Sequence, residues 1–141
     1  MRMIFVNLPV ASAAASTAFY EALGFTKNPA FSDATTSSIV ISETIFLMLL
    51  EHDRFAGFIN GPVGDPRAST DKLIALSCDS ADEVKSLKAA ALANGGGEWK
   101  PDMTEMPGMY GASFTDPDGH VIELMWMSQD AVAEHEANAA A

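Results

Sequence analysis

The stretch Tyr110-Gly111-Ala112-Ser113-Phe114-Thr115-Asp116-Pro117-Asp118-Gly119-His120-Val121-Ile122-Glu123-Leu124-Met125-Trp126-Met127 is the most informative part of the chain. Two β-rich runs, 110–115 and 120–127, flank Asp116-Pro117-Asp118-Gly119. Pro117 presets the φ of a turn's second position, and Gly119 tolerates a left-handed exit. The spacing predicts a tight hairpin. In its second strand Ile122, Leu124 and Trp126 share one face, and Glu123 and Met125 share the other.

Working back toward the N-terminus, Leu73-Ile74-Ala75-Leu76-Ser77-Cys78 reads as a strand. Ser80-Ala81-Asp82-Glu83 is a capping box opening a helix with Val84, Leu87 and Ala91 along one face. Gly95-Gly96-Gly97 ends that helix; it follows a helix instead of opening one, so it is no phosphate cradle. The same order occurs earlier. A strand over 3–10 precedes a helix over about 13–23, with Ser12 as N-cap, Ala15 and Phe19 on one face, and Gly24 as stop. Strands at 38–42 and 45–51 follow, separated by Ser42-Glu43-Thr44. Strand 3–10 corresponds to 73–78, and strand 45–51 to 120–127. This duplication predicts an α+β fold of two βαβββ modules, about 3–51 and 73–127, meeting across an apolar cleft. The linker 52–72 holds a Gly- and Pro-rich loop at 53–71, long enough to expect that it covers a site. The tail 128–141 is either a short docked helix or frayed.

Val6-Asn7-Leu8-Pro9-Val10, with Ser16, Phe19-Tyr20 and Leu23-Gly24-Phe25, resembles the opening module of the vicinal oxygen chelate superfamily. Asp116 to Leu124 is similar to that superfamily's closing hairpin. These are the glyoxalase I, bleomycin-resistance and extradiol dioxygenase relatives, and the resemblance covers roughly residues 3–127. It implies paired βαβββ modules forming a U-shaped cleft, usually in homodimers. It leaves the reaction open, because this fold hosts lyases, isomerases, dioxygenases and drug sequestrators. The resemblance also implies four metal-ligand positions, one on each of four strands. Here they fall on Phe5, Met48, Leu73 and Glu123. Three are apolar and offer no hard donor, so the expectation is no metal and no other cofactor.

Composition bounds the partners. The chain has 141 residues, one ordinary domain. Lys and Arg total 8 against 19 Asp and Glu, for a formal net charge of −11. Such a surface repels nucleic acid and anionic membranes, so the expected partners are a small molecule and a second copy of the chain. The single cysteine, Cys78, excludes an internal disulfide and any Cys-based zinc site, and reads as a buried small hydrophobe. Arg2 before Met3-Ile4-Phe5-Val6 superficially resembles a secretory leader, but Asn7 and Pro9 interrupt the run. The expectation is a cytoplasmic protein.

The candidate ligand-binding residues are Phe5, Asn7, Met48, Leu73, Tyr110, Glu123 and Met125. Asn7 shares a strand face with Phe5. Its amide either meets a ligand or satisfies backbone at the strand edge. Tyr110 would offer a hydroxyl from the segment Met106–Tyr110, which could move over the cleft mouth. Met103, Met106, Met109, Met125 and Met127 fit an adaptable surface and a core equally well. His120 reads as an outer-face or dimer-contact histidine. Glu123, poorly solvated among apolar neighbours, suits either proton transfer or anchoring a cationic or hydroxylated ligand; it is the candidate catalytic residue. Three functions stay open: metal-independent small-molecule binding, a metal-dependent lyase or isomerase of the glyoxalase I type using Glu123 and His120, and a cofactor-free enzyme with Glu123 as general base.

Overall fold

The computed structural model describes residues 1–141. The first half runs β1 (Ile4–Val10), α1 (Ala13–Ala22), β2 (Thr26–Lys27), β3 (Thr36–Val40) and β4 (Ile45–Glu51). The connection begins with α2 (His52–Ala56). The second half runs β5 (Ile74–Ser77), α3 (Ala81–Ala93), β6 (Gly97–Glu98), β7 (Met109–Thr115) and β8 (Val121–Met127), and the tail is α4 (Gln129–Ala140). Each half is a four-stranded mixed sheet, β1-β4-β3-β2 and β5-β8-β7-β6, with the outer pair parallel and the rest antiparallel. The α+β duplication of βαβββ units is therefore present. Pro9 sits within β1 because β1 is an edge strand that does not need every backbone N–H.

The helices start where the sequence places their caps. The Ser12 hydroxyl accepts from Ala15 N at 3.1 Å, and the Glu51 carboxylate, at the end of β4, accepts from Ala13 N at 2.9 Å. A carboxylate at a helix N-terminus also meets the positive end of the helix dipole. In the second half the Ser80 hydroxyl accepts from Glu83 N at 3.0 Å, and Glu83 reaches back to Asp79 N at 2.9 Å. Gly96 follows α3 where a Cβ would stand 2.8 Å from the carbonyl oxygens of both Ala91 and Thr115, so only glycine fits there.

The first-half hairpin is shifted from its expected place. β3 occupies 36–40 instead of 38–42, and Ile41 and Ser42 already turn, their N–H groups donating to Ile45 O. Thr36 and Ser37 lie outside the expected strand, yet they pair with Leu50 and Leu49. Their polarity is accommodated by α1: the Thr17 hydroxyl donates to Ala13 O at 2.6 Å, and its oxygen meets the Ser37 hydroxyl at 2.5 Å.

One core serves both halves. Leu8, Val10, Leu47 and Leu49 of the first sheet lie in the same buried cluster as Phe114, Ile122 and Leu124 of the second. Phe19 of α1 reaches Phe114 of β7 with ring centroids 6.1 Å apart, and α1 also touches α3. The helix-bearing faces of both sheets are thus turned toward one interior, and their other faces are turned away from it.

The turn Asp116–His120 locks the halves together. Asp116, fully buried, accepts from Tyr20 Oη at 2.8 Å, from Asp118 N at 3.0 Å and from His120 N at 2.9 Å. Ala11 N donates to Asp118 at 2.8 Å. His120 is only 2% exposed, and its Nε2 lies 2.7 Å from the Pro9 carbonyl. Because that carbonyl accepts, Nε2 carries a proton. The expectation of an outer-face histidine is corrected: the ring is drawn inward to satisfy the end of β1. Burial raises the Asp116 carboxyl above its ordinary range, although His120, Tyr20 and the backbone donors pull the other way. Burial, and next Asp116 itself, push the Tyr20 phenol well up.

Candidate functional site

The outward-turned face of the first sheet carries Phe5 and Asn7 on β1 and Phe46 and Met48 on β4. Asn7 pairs with Met48, and Phe5 pairs with Phe46, their rings stacked with centroids 5.0 Å apart. Phe5 remains 49% exposed. Asn7 donates from Nδ2 to its neighbour's carbonyl, Phe5 O, at 3.2 Å. That bond serves backbone and leaves the amide oxygen and the second N–H for other partners.

The outward face of the second sheet carries Glu123 and Met125 on β8. Glu123 lies between Ala75 of β5 and Ser113 of β7. It is half-buried and joins none of the chain's ion pairs. Met125 crosses toward Gly111, whose missing side chain makes room: a Cβ there would meet the Met125 methyl at 3.0 Å. Leu73 immediately precedes β5, on the side of Ala75 and Glu123, and is 51% exposed; Met125 is 41% exposed. Tyr110 stands apart from these. It pairs with Trp126 on the helix-bearing face, and the two line a separate cavity of about 340 Å³ under Met106 and Pro107. Alternation explains this, because Tyr110 shares the parity of Ala112 and Phe114, which pack against α3.

The seven candidates thus fall in three places: Phe5, Asn7 and Met48 on one sheet face; Leu73, Glu123 and Met125 on the other; and Tyr110 on the helix side. A cavity of about 350 Å³ already exists at the first, lined among others by Asn7, Phe31, Thr36, Met48, Arg54 and Phe58. No residue after Phe58 contributes to it. Phe31 belongs to the short helical turn Pro29–Phe31, and Arg54 to α2. The start of the long loop therefore does wall a site. Its Arg54 and Phe58 escaped the sequence reading, although exposed aromatics in a polar linker were a usable signal. Arg54 rests over the Phe58 ring, 5.8 Å from its centroid.

The model of the glyoxalase/bleomycin resistance protein/dioxygenase superfamily matches residues 2–124. The chain belongs to that superfamily. Among solved structures, a hypothetical protein, SA1046, from S. aureus shares 27% identity with a TM-score of 0.73, over 89% of this chain and 93% of that one. A glyoxalase/bleomycin resistance protein/dioxygenase family enzyme from Burkholderia phytofirmans PsJN shares 19% identity with a TM-score of 0.70, over 89% and 98%. A genomically encoded fosfomycin resistance protein, FosX, from Listeria monocytogenes shares 19% with a TM-score of 0.66, over 93% and 97%. The latter two show likeness of fold. No curated protein matches the sequence.

The residues that stand at the superfamily's metal positions do not fit a divalent cation. Phe5, Met48 and Leu73 supply no oxygen or nitrogen donor, and one carboxylate cannot hold such an ion against water. Nor do any three His, Cys, Asp or Glu side chains converge elsewhere in this superfamily member. No helix is long and apolar enough to cross a membrane.

Proposed function

We propose that this superfamily member is a cytoplasmic, metal-independent small-molecule-binding protein that works as a homodimer. The observation that carries this reading is the exposure of apolar side chains on the outward sheet faces: Phe5 on one, Leu73 and Met125 on the other. Contiguous apolar surface of this kind is covered in solution. A two-fold arrangement would lay the Asn7–Met48 face of one chain against the Glu123–Met125 face of its partner. The candidates separated within one chain would then line a shared cleft. Affinity would come chiefly from apolar burial at about 25 cal/mol per Å², with Asn7 and Glu123 orienting the ligand. The unpaired carboxylate of Glu123 supports a second reading, a cofactor-free enzyme using it as general base.

Sedimentation should give twice the 14.9 kDa chain mass at micromolar concentration. A thermal-shift screen of diverse small molecules, with and without divalent metals, should find stabilising ligands whose effect needs no metal. A clean monomer, or one tightly held divalent ion per chain that is lost on Glu123→Ala, would overturn the reading.

A further inference from the structure

The polar groups around the 350 Å³ cavity of the first half are sorted by charge and by hydrogen-bonding role. Two are donors. Arg54 joins none of the chain's ion pairs, and its guanidinium is held at the cavity by the Phe58 ring. Thr36 is 7% exposed, and its hydroxyl has no partner in the protein. A buried hydroxyl without a partner costs stability, so its presence on a cavity wall calls for a ligand atom or a solvent molecule to meet it. Two groups are acceptors. Asn7 spends one of its two amide N–H groups on Phe5 O, and its amide oxygen is open to accept. Asp33 accepts from Thr35 N at 2.9 Å and Thr36 N at 3.0 Å through one oxygen, Oδ1, and the other oxygen has no partner. Those backbone donors, first that of Thr35, together with the nearby Arg54 charge hold the Asp33 carboxyl below its ordinary range, so it is charged near neutral pH. Between these groups the wall is apolar: Met48, Leu50, and the exposed rings of Phe31 and Phe58.

We infer that the cavity takes a small zwitterion with an apolar side chain, an amino-acid-like ligand whose carboxylate meets Arg54 and Thr36 and whose ammonium meets Asp33 and Asn7. A simple anion would be attracted by Arg54 but repelled by Asp33, and a simple cation the reverse; only a ligand carrying both charges satisfies both. An uncharged apolar ligand would strip water from Arg54 and Asp33 with no return. The inference rests on the small-molecule-binding reading of this face and names the ligand class for it.

The test uses the full chain and titration calorimetry with three probes of one shape: phenylalanine, 3-phenylpropionate without the amine, and 2-phenylethylamine without the carboxylate. Leucine and methionine serve as further apolar amino acids. At least one amino acid should bind. For phenylalanine, each truncated analogue should bind about fivefold more weakly or worse, the scale of a single partly exposed charge pair. Arg54→Gln should erase the difference between phenylalanine and 2-phenylethylamine, Asp33→Asn that between phenylalanine and 3-phenylpropionate. Thr36→Val, which keeps the shape, should weaken amino-acid binding while the melting temperature holds. Equal binding of the three probes, or discrimination untouched by both charge variants, overturns the inference. So does failure of every amino acid while an uncharged compound binds and is displaced by Met48→Arg; that result leaves the small-molecule reading standing. If no compound of any class binds, both fall.

Discussion

Replacing Tyr20 by Phe removes one oxygen from the interior and nothing else. Phe occupies the same fully buried space, so no sizeable cavity opens. The lost interaction is the 2.8 Å hydrogen bond from Tyr20 Oη to Asp116, a bond that joins residues 96 positions apart and ties α1 to the closing turn. A hydrogen bond to a charged, buried partner contributes about 1.5–3 kcal/mol. For a domain of this size that corresponds to a melting temperature lower by about 4–10 °C. The pH dependence is more diagnostic. The Asp116 carboxyl is raised in the folded state, so the fold binds its proton more tightly than the unfolded chain does. Its stabilising contribution is therefore complete below the unfolded pKa and declines as pH rises through the folded one. Removing a donor to the carboxylate raises the folded pKa further and extends that decline. Urea melts should show a deficit for Tyr20→Phe that is larger near about pH 7 than near about pH 4. A loss under about 0.5 kcal/mol at neutral pH, or a deficit that grows on acidification, would refute the assignment of this contact as the lock.

Three further outcomes are expected. Burial, and then Glu83, push the Cys78 thiol up to about 12, so iodoacetamide near about pH 8 should label it roughly a thousandfold more slowly in the native protein than in urea; a rate near that of a free thiol would contradict its placement. Gly96→Ala should cost about 1–3 kcal/mol by chemical denaturation, because its Cβ would strike two fixed carbonyl oxygens; a neutral result would show that the α3–β6 connection yields. Glu123→Gln should leave stability within about 0.5 kcal/mol while weakening any ligand oriented by the carboxylate, and elemental analysis of dialysed protein should find no stoichiometric divalent ion; retention of one would reopen the metal-dependent reading.

What the sequence carried, it carried through local signals. Alternation in β8, the caps at Ser12 and Ser80, and the Asp116–Gly119 turn each depend on near neighbours, and each element stands close to its expected place. What it hid depends on distant partners. Thr36 and Ser37 fall outside the expected strand until α1 is seen to meet the Ser37 hydroxyl. His120 reads as exposed until the Pro9 carbonyl, 111 positions away, is brought to it. Among the site residues, Phe5, Asn7 and Met48 follow from strand parity, as do Glu123 and Met125. Tyr110 reads as part of the segment Met106–Tyr110 over the cleft mouth, but it lies within β7, on the packed face it shares with Ala112 and Phe114. Arg54 sits on α2, a short helix inside a stretch whose glycines and prolines announce only a loop, and Phe58 lies just beyond that helix.

The lock between the halves is wholly noncovalent, and the connection from Gly57 to Leu73 touches it through Arg67, whose guanidinium donates to the Pro117 carbonyl of the turn. That connection acts as a tether. It raises the local concentration of each half around the other, and the buried side chains and the Asp116 turn do the holding. A single proteolytic cut within the tether should therefore leave a nicked protein that migrates as one particle. Two separately produced fragments meeting near Gly61 should find each other in solution, at a rate set by their concentrations rather than by the length of the missing link. The doubled architecture would then persist as an association of two polypeptides, a form in which each half can be exchanged or varied on its own.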